Sequence, residues 1–193
     1  MLDNLKNYKI FLASKSPRRQ EILKMLRLPY TVITIPNIDE SYPLDIPLVE
    51  VPEYVSKKKA NAYMERLSEN DLIITADTMV ICDDKIIGKP HNESEAIEML
   101  EFLSGKTHQV ATGVTISTHQ RHLSFTSLSD VTFANLSREE IEYYVENFAP
   151  FDKAGAYGIQ EWIGAVAVSS IEGSFYNVMG LPIHRLYAEL KNW

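Results

Sequence analysis

The chain has 193 residues, 45% hydrophobic and 23% charged, which suits one soluble domain or two lobes that share a sheet. Its net charge of −7 excludes broad binding to nucleic acid or to an anionic membrane, because both need a basic surface. The single cysteine, Cys82, excludes an internal disulfide, and its apolar neighbours predict a buried, inert thiol. No apolar run approaches the ~20 residues that span a bilayer, and the N-terminus has no signal-peptide pattern, so we expect a cytoplasmic protein.

A candidate anion site lies at the start of the first predicted helix. A short apolar strand leads into a helix over residues 18–28, with Ser16 as its N-cap. Arg18 and Arg19 occupy the first turn, although the positive end of the helix dipole disfavours cations there. These guanidiniums, the backbone N–H groups of the helix start and the hydroxyl of Ser14 would together hold an anion such as phosphate. Two surface arginines beside an ordinary cap explain the pattern equally well.

Two carboxylates are candidate ligands of a cation. A predicted strand over residues 30–35 runs into a loop that carries Glu40, and the ends of strands are where α/β sheets place ligands. Asp77 lies inside the most strand-like stretch of the chain, residues 71–81. A carboxylate buried there needs a cation or a metal as partner. A turn or capping aspartate is disfavoured, because no glycine or proline interrupts the stretch.

Lysines provide further candidate phosphate ligands. A helix predicted over residues 53–67 contains Lys57, Lys58 and Lys59 in succession. Consecutive helical positions are about 100° apart, so at most one or two of these lysines can face a pocket. We interpret Lys58 as part of a solvated face. Lys89 lies between a glycine and a proline, in a segment that cannot be helical.

The second half of the chain alternates helices and strands. The predicted elements are a helix over 93–103, a hairpin of strands over 108–118 and 123–134, a helix from 138 to 147, a strand over 164–171 and a closing helix over 183–190. Residues 152–160 combine small residues with charged and amide side chains. This predicts either a backbone that closely approaches a ligand or a tight structural turn. The alternation favours an α/β fold with a mixed sheet.

The unusual polar residues come from strand ends, loops and helix starts, and their types suit one kind of chemistry. Basic groups and a helix N-terminus bind phosphates, whereas two carboxylates bind Mg²⁺ or Mn²⁺. The chain has no Walker-type loop and no dinucleotide-binding glycine motif. These residues predict a metal-dependent enzyme that acts on a phosphorylated ligand, without specifying a nucleobase.

Sequence blocks spread over nearly the whole chain resemble the Maf family of nucleoside triphosphate pyrophosphatases. They are, in the family's order, residues 12–23, 76–80, 88–90, 103–105 followed by His108, 152–160 and 180–182. The resemblance implies a single family domain over residues 1–193, with an elongated mixed sheet flanked by helices and a cleft between two lobes, as in inosine triphosphate pyrophosphatases. It also implies a homodimer that hydrolyses a nucleoside triphosphate to the monophosphate and pyrophosphate with a divalent cation.

The resemblance also assigns roles to residues by their position in these blocks. Asp77 matches the proton acceptor for the attacking water, and Glu40 with Asp77 would hold the metal. The positions tied to substrate choice are Arg18, Thr78 and Gln160. The phosphate-side positions are Ser14, Arg19, Lys57 and Lys89.

Residues 152–160 are similar to the branch of the family that acts on dTTP and UTP. The Gln160 amide offers both a donor and an acceptor to a pyrimidine edge. The chain departs from the family at Glu161 and Trp162, where a glycine usually follows the glutamine. A nucleotide-sensing regulatory protein of cell division, a role long associated with the family, is the alternative function, since it would use the same pocket without fast chemistry.

Overall fold

The computed structural model describes residues 2–193. Its strands are β1 (Lys9–Leu12), β2 (Thr31–Val32), β3 (Asp71–Cys82), β4 (Lys85–Ile87), β5 (Thr107–Ser117), β6 (His122–Phe133) and β7 (Val168–Glu172). Its α-helices are α1 (Pro17–Lys24), α2 (Val51–Met64), α3 (Glu93–Leu103), α4 (Arg138–Phe148), α5 (Trp162–Val166), α6 (Phe175–Val178) and α7 (Ile183–Lys191). Among residues 2–193, no helix is long and apolar enough to cross a membrane.

The strands form one mixed sheet in the order β2-β1-β3-β5-β6-β7, with β4 paired to β3. Strand β1 is parallel to β2 and β3, whereas β4 is antiparallel to β3 and β7 is antiparallel to β6. In the parallel register, Leu12 on β1 lies opposite Ile74 on β3. The predicted α/β class with a mixed sheet is confirmed.

The chain divides into two compact units. The first contains residues 2–77, Thr112–Ser127 and Gly180–Trp193, and the second contains Thr78–Ala111 and Leu128–Met179. Strands β3, β5 and β6 each contribute residues to both units.

In the first unit, a small apolar cluster supports the segment that leads to Glu40. Tyr63 on α2 and Ile73 on β3 are buried in this cluster, and Ile33 and Ile35 pack against it. The Tyr63 hydroxyl accepts a hydrogen bond of 2.8 Å from the backbone N–H of Ile35. That N–H is therefore bonded to a side chain rather than to a neighbouring strand. This explains why β2 has two residues, although the sequence predicted a strand over 30–35.

Also in the first unit, Gly113 on β5 allows the backbone of helix α2 to pack directly against the sheet. An added Cβ at Gly113 would lie 2.1 Å from the Glu53 backbone nitrogen and 2.2 Å from the Pro52 carbonyl carbon. These atoms belong to the first turn of α2 and cannot move without shifting the helix. Only a residue without a side chain fits at this position.

We expect Gly113→Ala to lower the free energy of unfolding by roughly 1–3 kcal/mol, since the new methyl group would overpack rigid backbone. Denaturant unfolding of the two proteins measures the difference. Gly88→Ala is the matched control, because nothing lies within 4 Å of an added Cβ there. Equal losses in both variants would contradict the close approach of α2 to Gly113.

The second unit confirms the helix starts predicted from its sequence. The Asn92 side chain caps α3 by accepting from the backbone N–H of Glu95. At the start of α4, Ser137 and Glu140 form a reciprocal capping box. Cys82, on β3 in the same unit, is buried as predicted.

The strand predicted over residues 164–171 is wrong in its first part. The chain forms α5 there, and β7 begins only at Val168. Ile163 and Ala167 are both completely buried, a spacing of four that is helical rather than extended. An added Cβ on Gly164 would lie 1.9 Å from the Ile159 carbonyl oxygen, so the glycine permits this tight helical turn.

A buried histidine packs among aromatic rings in the second unit. His108 on β5 is 2% exposed, and its Nε2 lies 2.8 Å from the Tyr157 hydroxyl. Phe133 and Tyr157 contact the imidazole edge to face. Burial lowers the pKa of His108 to about 4, although the carboxylate of Asp130 partly opposes this effect. His108 therefore belongs to the buried packing of strand β5.

His108 should make stability depend on pH. The unfolded chain binds a proton near pH 6.5, whereas the folded chain resists protonation down to about pH 4. The free energy of unfolding should therefore fall as pH drops through this window, by about 3 kcal/mol in total. Urea unfolding at several pH values measures the slope. In His108→Phe the fall in the free energy of unfolding over this pH window should vanish. The control is His91→Gln, which replaces an exposed histidine and should leave the fall unchanged. An unchanged slope in His108→Phe would contradict the assignment.

Candidate active site

The start of helix α1, in the first unit, has the predicted cap. The Ser16 hydroxyl accepts from the backbone N–H of Arg19, and Pro17 is the first helical residue. Ser14 is buried, and its hydroxyl oxygen accepts from the backbone N–H of Ser16 at 3.2 Å. Arg18 is half-buried in the same turn. The serine hydroxyls thus order a helix start that contains two arginines.

Arg19 connects this helix start to strand β3. Its Nε donates to the Gly180 carbonyl and its Nη1 donates to the Ala76 carbonyl, each at 2.8 Å. Burial lowers the pKa of Arg19, while the nearby carboxylates of Asp77 and Glu40 oppose this effect and Arg18 adds to it. A guanidinium remains protonated in proteins despite such shifts. Arg19 therefore places a permanent positive charge next to Asp77.

A lysine lies between the two predicted metal ligands. Lys59 Nζ is 2.7 Å from Asp77 Oδ1 and 3.1 Å from Glu40 Oε1. The side chains of Lys59 and Asp77 are only 14% and 13% exposed, so water screens their attraction less than at a surface pair. We call Glu40, Lys59 and Asp77 the carboxylate–lysine cluster.

Of the three consecutive lysines, the structure brings Lys59 to the carboxylates. Lys57, which the resemblance assigned to the phosphate side, is 52% exposed and pairs with Glu53 at 2.7 Å on its own helix. Lys58 pairs with the exposed Asp39. The sequence offered Lys59 as one of three candidate phosphate ligands, but the resemblance assigned it no role. Nothing in the sequence separates Lys59 from its two neighbours, because only the packing of α2 directs this lysine toward Asp77.

The carboxylate oxygens of the carboxylate–lysine cluster can be compared with the ligands that a metal ion requires. Glu40 and Asp77 contact the same ammonium, so their oxygens converge on one point. Within the described range 2–193, no group of three or more His, Cys, Asp or Glu side chains could hold a metal ion. Two carboxylates suit Mg²⁺ or Mn²⁺ when water and substrate phosphates supply the remaining oxygens. In the free protein Lys59 Nζ occupies the point on which these oxygens converge, so a metal shared with the substrate would have to displace the ammonium.

The other predicted site residues belong to the second unit. Thr78 follows Asp77 on β3, and the exposed Lys89 follows β4. The backbone N–H of Gly155 donates to the Gly88 carbonyl at 2.9 Å, which places residues 152–160 against the loop of Lys89. Gln160 is exposed at the end of this segment.

Residues 152–160 fold as a compact turn. Gly155 has a φ of +71°, and an added Cβ would lie 3.1 Å from the Val80 side chain. Of the two sequence interpretations, the chain forms the tight structural turn at this glycine. Lys153 is buried and pairs with Asp152 at 2.8 Å and with Glu161 at 3.1 Å. Sequence reasoning did not assign Glu161 a role, because nothing in the local pattern indicates that Lys153 folds back onto it.

Solved structures define the class of fold. The chain is similar to the Ham1 protein of Staphylococcus aureus, with a TM-score of 0.53 and 17% identity over 94% of this chain and 99% of that one. A HAM1 protein from Coxiella burnetii gives a TM-score of 0.51 and 16% identity over 96% of this chain and 100% of that one. At these identities the likeness concerns the fold alone. The predicted class of fold, a mixed α/β sheet flanked by helices, is confirmed.

Sequence comparison then defines the family. Residues 9–193 match the family model described as Maf-like protein. The dTTP/UTP pyrophosphatase of Bacteroides thetaiotaomicron is 56% identical over 191 residues, 99% of either chain. That of Porphyromonas gingivalis is 53% identical over 195 residues, 100% of this chain and 98% of the relative. That of Flavobacterium johnsoniae is 45% identical over 97% of this chain and 96% of the relative. The chain belongs to the Maf family.

Proposed function

We propose that this chain hydrolyses dTTP and UTP to the monophosphate and pyrophosphate. Nucleoside triphosphate hydrolysis is supported by the full-length relatives, which are named dTTP/UTP pyrophosphatases. The observation that carries the proposal is the carboxylate–lysine cluster, which lies on the same unit as the arginine-bearing start of α1. Acids beside phosphate-binding cations are the groups that this hydrolysis requires.

On the phosphate side, the positive charges of the first unit have complementary tasks. Arg19 is fixed by two backbone carbonyls, so its guanidinium is ordered before substrate arrives. Lys59 is neutralised by two carboxylates in the free protein, and the phosphates would compete for its ammonium. We assign Arg18 and the Ser14 hydroxyl to the same anion. These groups would neutralise the charge that develops on the leaving pyrophosphate.

Asp77 is proposed to accept the proton of the attacking water. Its Oδ1 is bound to Lys59, and a carboxylate has further acceptor sites for a water. The water would attack the α-phosphorus, so that the bond to the bridging oxygen breaks and pyrophosphate leaves. A divalent cation held by Glu40 and Asp77 would supply charge neutralisation and a more acidic water.

For the nucleobase, we propose that Gln160 reads the pyrimidine edge. The amide carbonyl would accept from N3–H of uracil or thymine, and the amide N–H would donate to a ring carbonyl. We propose Thr78 and Arg18 as further contacts of substrate choice, and Lys89 as a phosphate contact. The homodimer implied by the family remains part of the proposal.

Hydrolysis of dTTP in ¹⁸O-labelled water, followed by mass spectrometry, tests the reaction. We expect labelled thymidine monophosphate and unlabelled pyrophosphate, because water attacks the α-phosphorus. Label in the pyrophosphate would show that water attacks the β-phosphorus, which would contradict the mechanism. Formation of the diphosphate and phosphate would contradict the reaction itself. Binding of dTTP without any turnover would favour the nucleotide-sensing alternative.

A further inference from the structure

The carboxylate of Glu161, in the second unit, is held by two buried groups. The Tyr144 hydroxyl donates to Oε2, and Lys153 Nζ lies 3.1 Å from Oε1. Tyr144 is completely buried, and the Lys153 side chain is 9% exposed. Burial and the hydrogen bond to Glu161 both raise the pKa of Tyr144, so its hydroxyl keeps the proton that it donates. Glu161 is therefore fixed, although its own side chain is 20% exposed.

The fixed carboxylate contacts the side chain proposed to read the base. Gln160 Nε2 donates to Glu161 Oε1 at 3.4 Å. An ionised carboxylate has acceptors only, so it attracts the N–H end of an amide and repels the carbonyl end. The reversed amide would bring Gln160 Oε1 against the negatively charged Oε1 of Glu161. With Nε2 directed at Glu161, the carbonyl is the end of the Gln160 amide that points away from this carboxylate.

The local backbone keeps these two side chains together. An added Cβ on Gly158 would lie 2.7 Å from Glu161 Cδ and 2.9 Å from Gln160 Nε2, so both side chains lie over this glycine. The backbone N–H of Gly158 donates to the Tyr144 hydroxyl at 3.0 Å, and its carbonyl accepts from the backbone N–H of Glu161 at 2.9 Å. The same tyrosine thus positions the turn and the carboxylate.

We propose that Glu161 is a positioning residue that fixes the orientation of the Gln160 amide and so favours uracil and thymine over cytosine. This inference rests on the proposed function, in which Gln160 reads the base. Uracil and thymine present a donor at N3 and a carbonyl at C4, whereas cytosine presents an acceptor at N3 and an amine at C4. For a base bound in the same pose, cytosine requires the reversed amide. That reversal is what the Glu161 carboxylate opposes.

The test compares UTP and CTP in variants of both residues. For each protein, kcat/KM is measured with both nucleotides, and Kd is measured with their non-hydrolysable α,β-methylene analogues. Glu161→Gln keeps the shape and an acceptor for Tyr144 but removes the charge, so the Gln160 amide can reverse. We expect the preference for UTP over CTP to fall at least about tenfold, mainly through a gain with CTP.

Gln160→Ala and Glu142→Gln are the reference variants. Gln160→Ala removes the proposed base contact and should lower the affinity for UTP more than Glu161→Gln or Glu142→Gln does. Glu142→Gln changes an exposed carboxylate that pairs with Arg138, and its preference should equal that of the original chain. A structural role of Glu161 would weaken UTP and CTP together and leave their ratio unchanged.

The outcomes separate the inference from the function on which it rests. An unchanged UTP-to-CTP ratio in Glu161→Gln, with an altered ratio in Gln160→Ala, would overturn the inference alone. Unchanged ratios in both variants would overturn base reading by Gln160 and the inference together. If no triphosphate is hydrolysed, the proposed function fails, and the ratio of the two Kd values still decides the orienting role.

Discussion

The Asp77→Asn variant is expected to lose turnover of dTTP and UTP by about 10²–10⁴-fold, the range typical of a general base. The amide has nearly the shape of the carboxylate, but it cannot accept the proton of the attacking water. The substitution also removes one of the two carboxylates that contact Lys59, and this carboxylate is a proposed metal ligand. Steady-state pyrophosphate release measures the loss.

Triphosphate binding should survive in this variant, since the substitution removes a negative charge from a site for an anion. The phosphate contacts proposed for Arg19 do not depend on Asp77, because backbone carbonyls hold that guanidinium. Asp39→Asn is the matched control. Asp39 pairs with Lys58 at 2.7 Å, the same distance as Asp77 to Lys59, but it is 70% exposed. Turnover retained in Asp77→Asn would remove this residue from the mechanism.

Lys59→Met is expected to lower kcat/KM by about 100-fold, comparable to the removal of one electrostatic contact to a transition state. The ammonium is replaced by an apolar group, so the phosphates lose a cation and the two carboxylates lose their shared partner. The negative charges of Glu40 and Asp77 are then neutralised by the proposed metal alone, which leaves less positive charge for the triphosphate. Kinetics with dTTP at a fixed, saturating metal concentration measure the effect.

The neighbouring lysines make this experiment selective. Lys58→Met removes an ion pair to an exposed carboxylate and should change kcat/KM little. Lys57→Met tests the alternative, because the resemblance assigned the phosphate contact to Lys57 whereas the structure favours Lys59. A larger loss in Lys57→Met than in Lys59→Met would contradict the role of the carboxylate–lysine cluster.

Helix starts could be predicted because their chemistry is local. Ser16, Asn92 and Ser137 each cap the helix that the sequence indicated, since a cap depends on residues only three positions away. The class of the sheet also followed from the alternation of helical and extended segments. These features require no knowledge of distant contacts.

Other features depend on contacts that sequence spacing does not contain. The strand predicted at Gly164 is helical because the glycine packs on the carbonyl of Ile159. Lys57 and Lys59 look alike in the sequence, and only the packing of α2 shows that Lys59 faces Asp77 while Lys57 pairs with Glu53. The partners of Glu161 come from a different helix and from the preceding turn. Its importance therefore emerges only after folding.

The most direct test is pyrophosphate release from a panel of nucleotides with Mg²⁺ or Mn²⁺. The panel contains dTTP, UTP, CTP, GTP, inosine triphosphate and 7-methyl-GTP, each also without metal and with Asp77→Asn. We expect fast, metal-dependent release from dTTP and UTP that is lost in the variant. Fast release from 7-methyl-GTP instead, or binding of every triphosphate with no release from any, would contradict the proposed function.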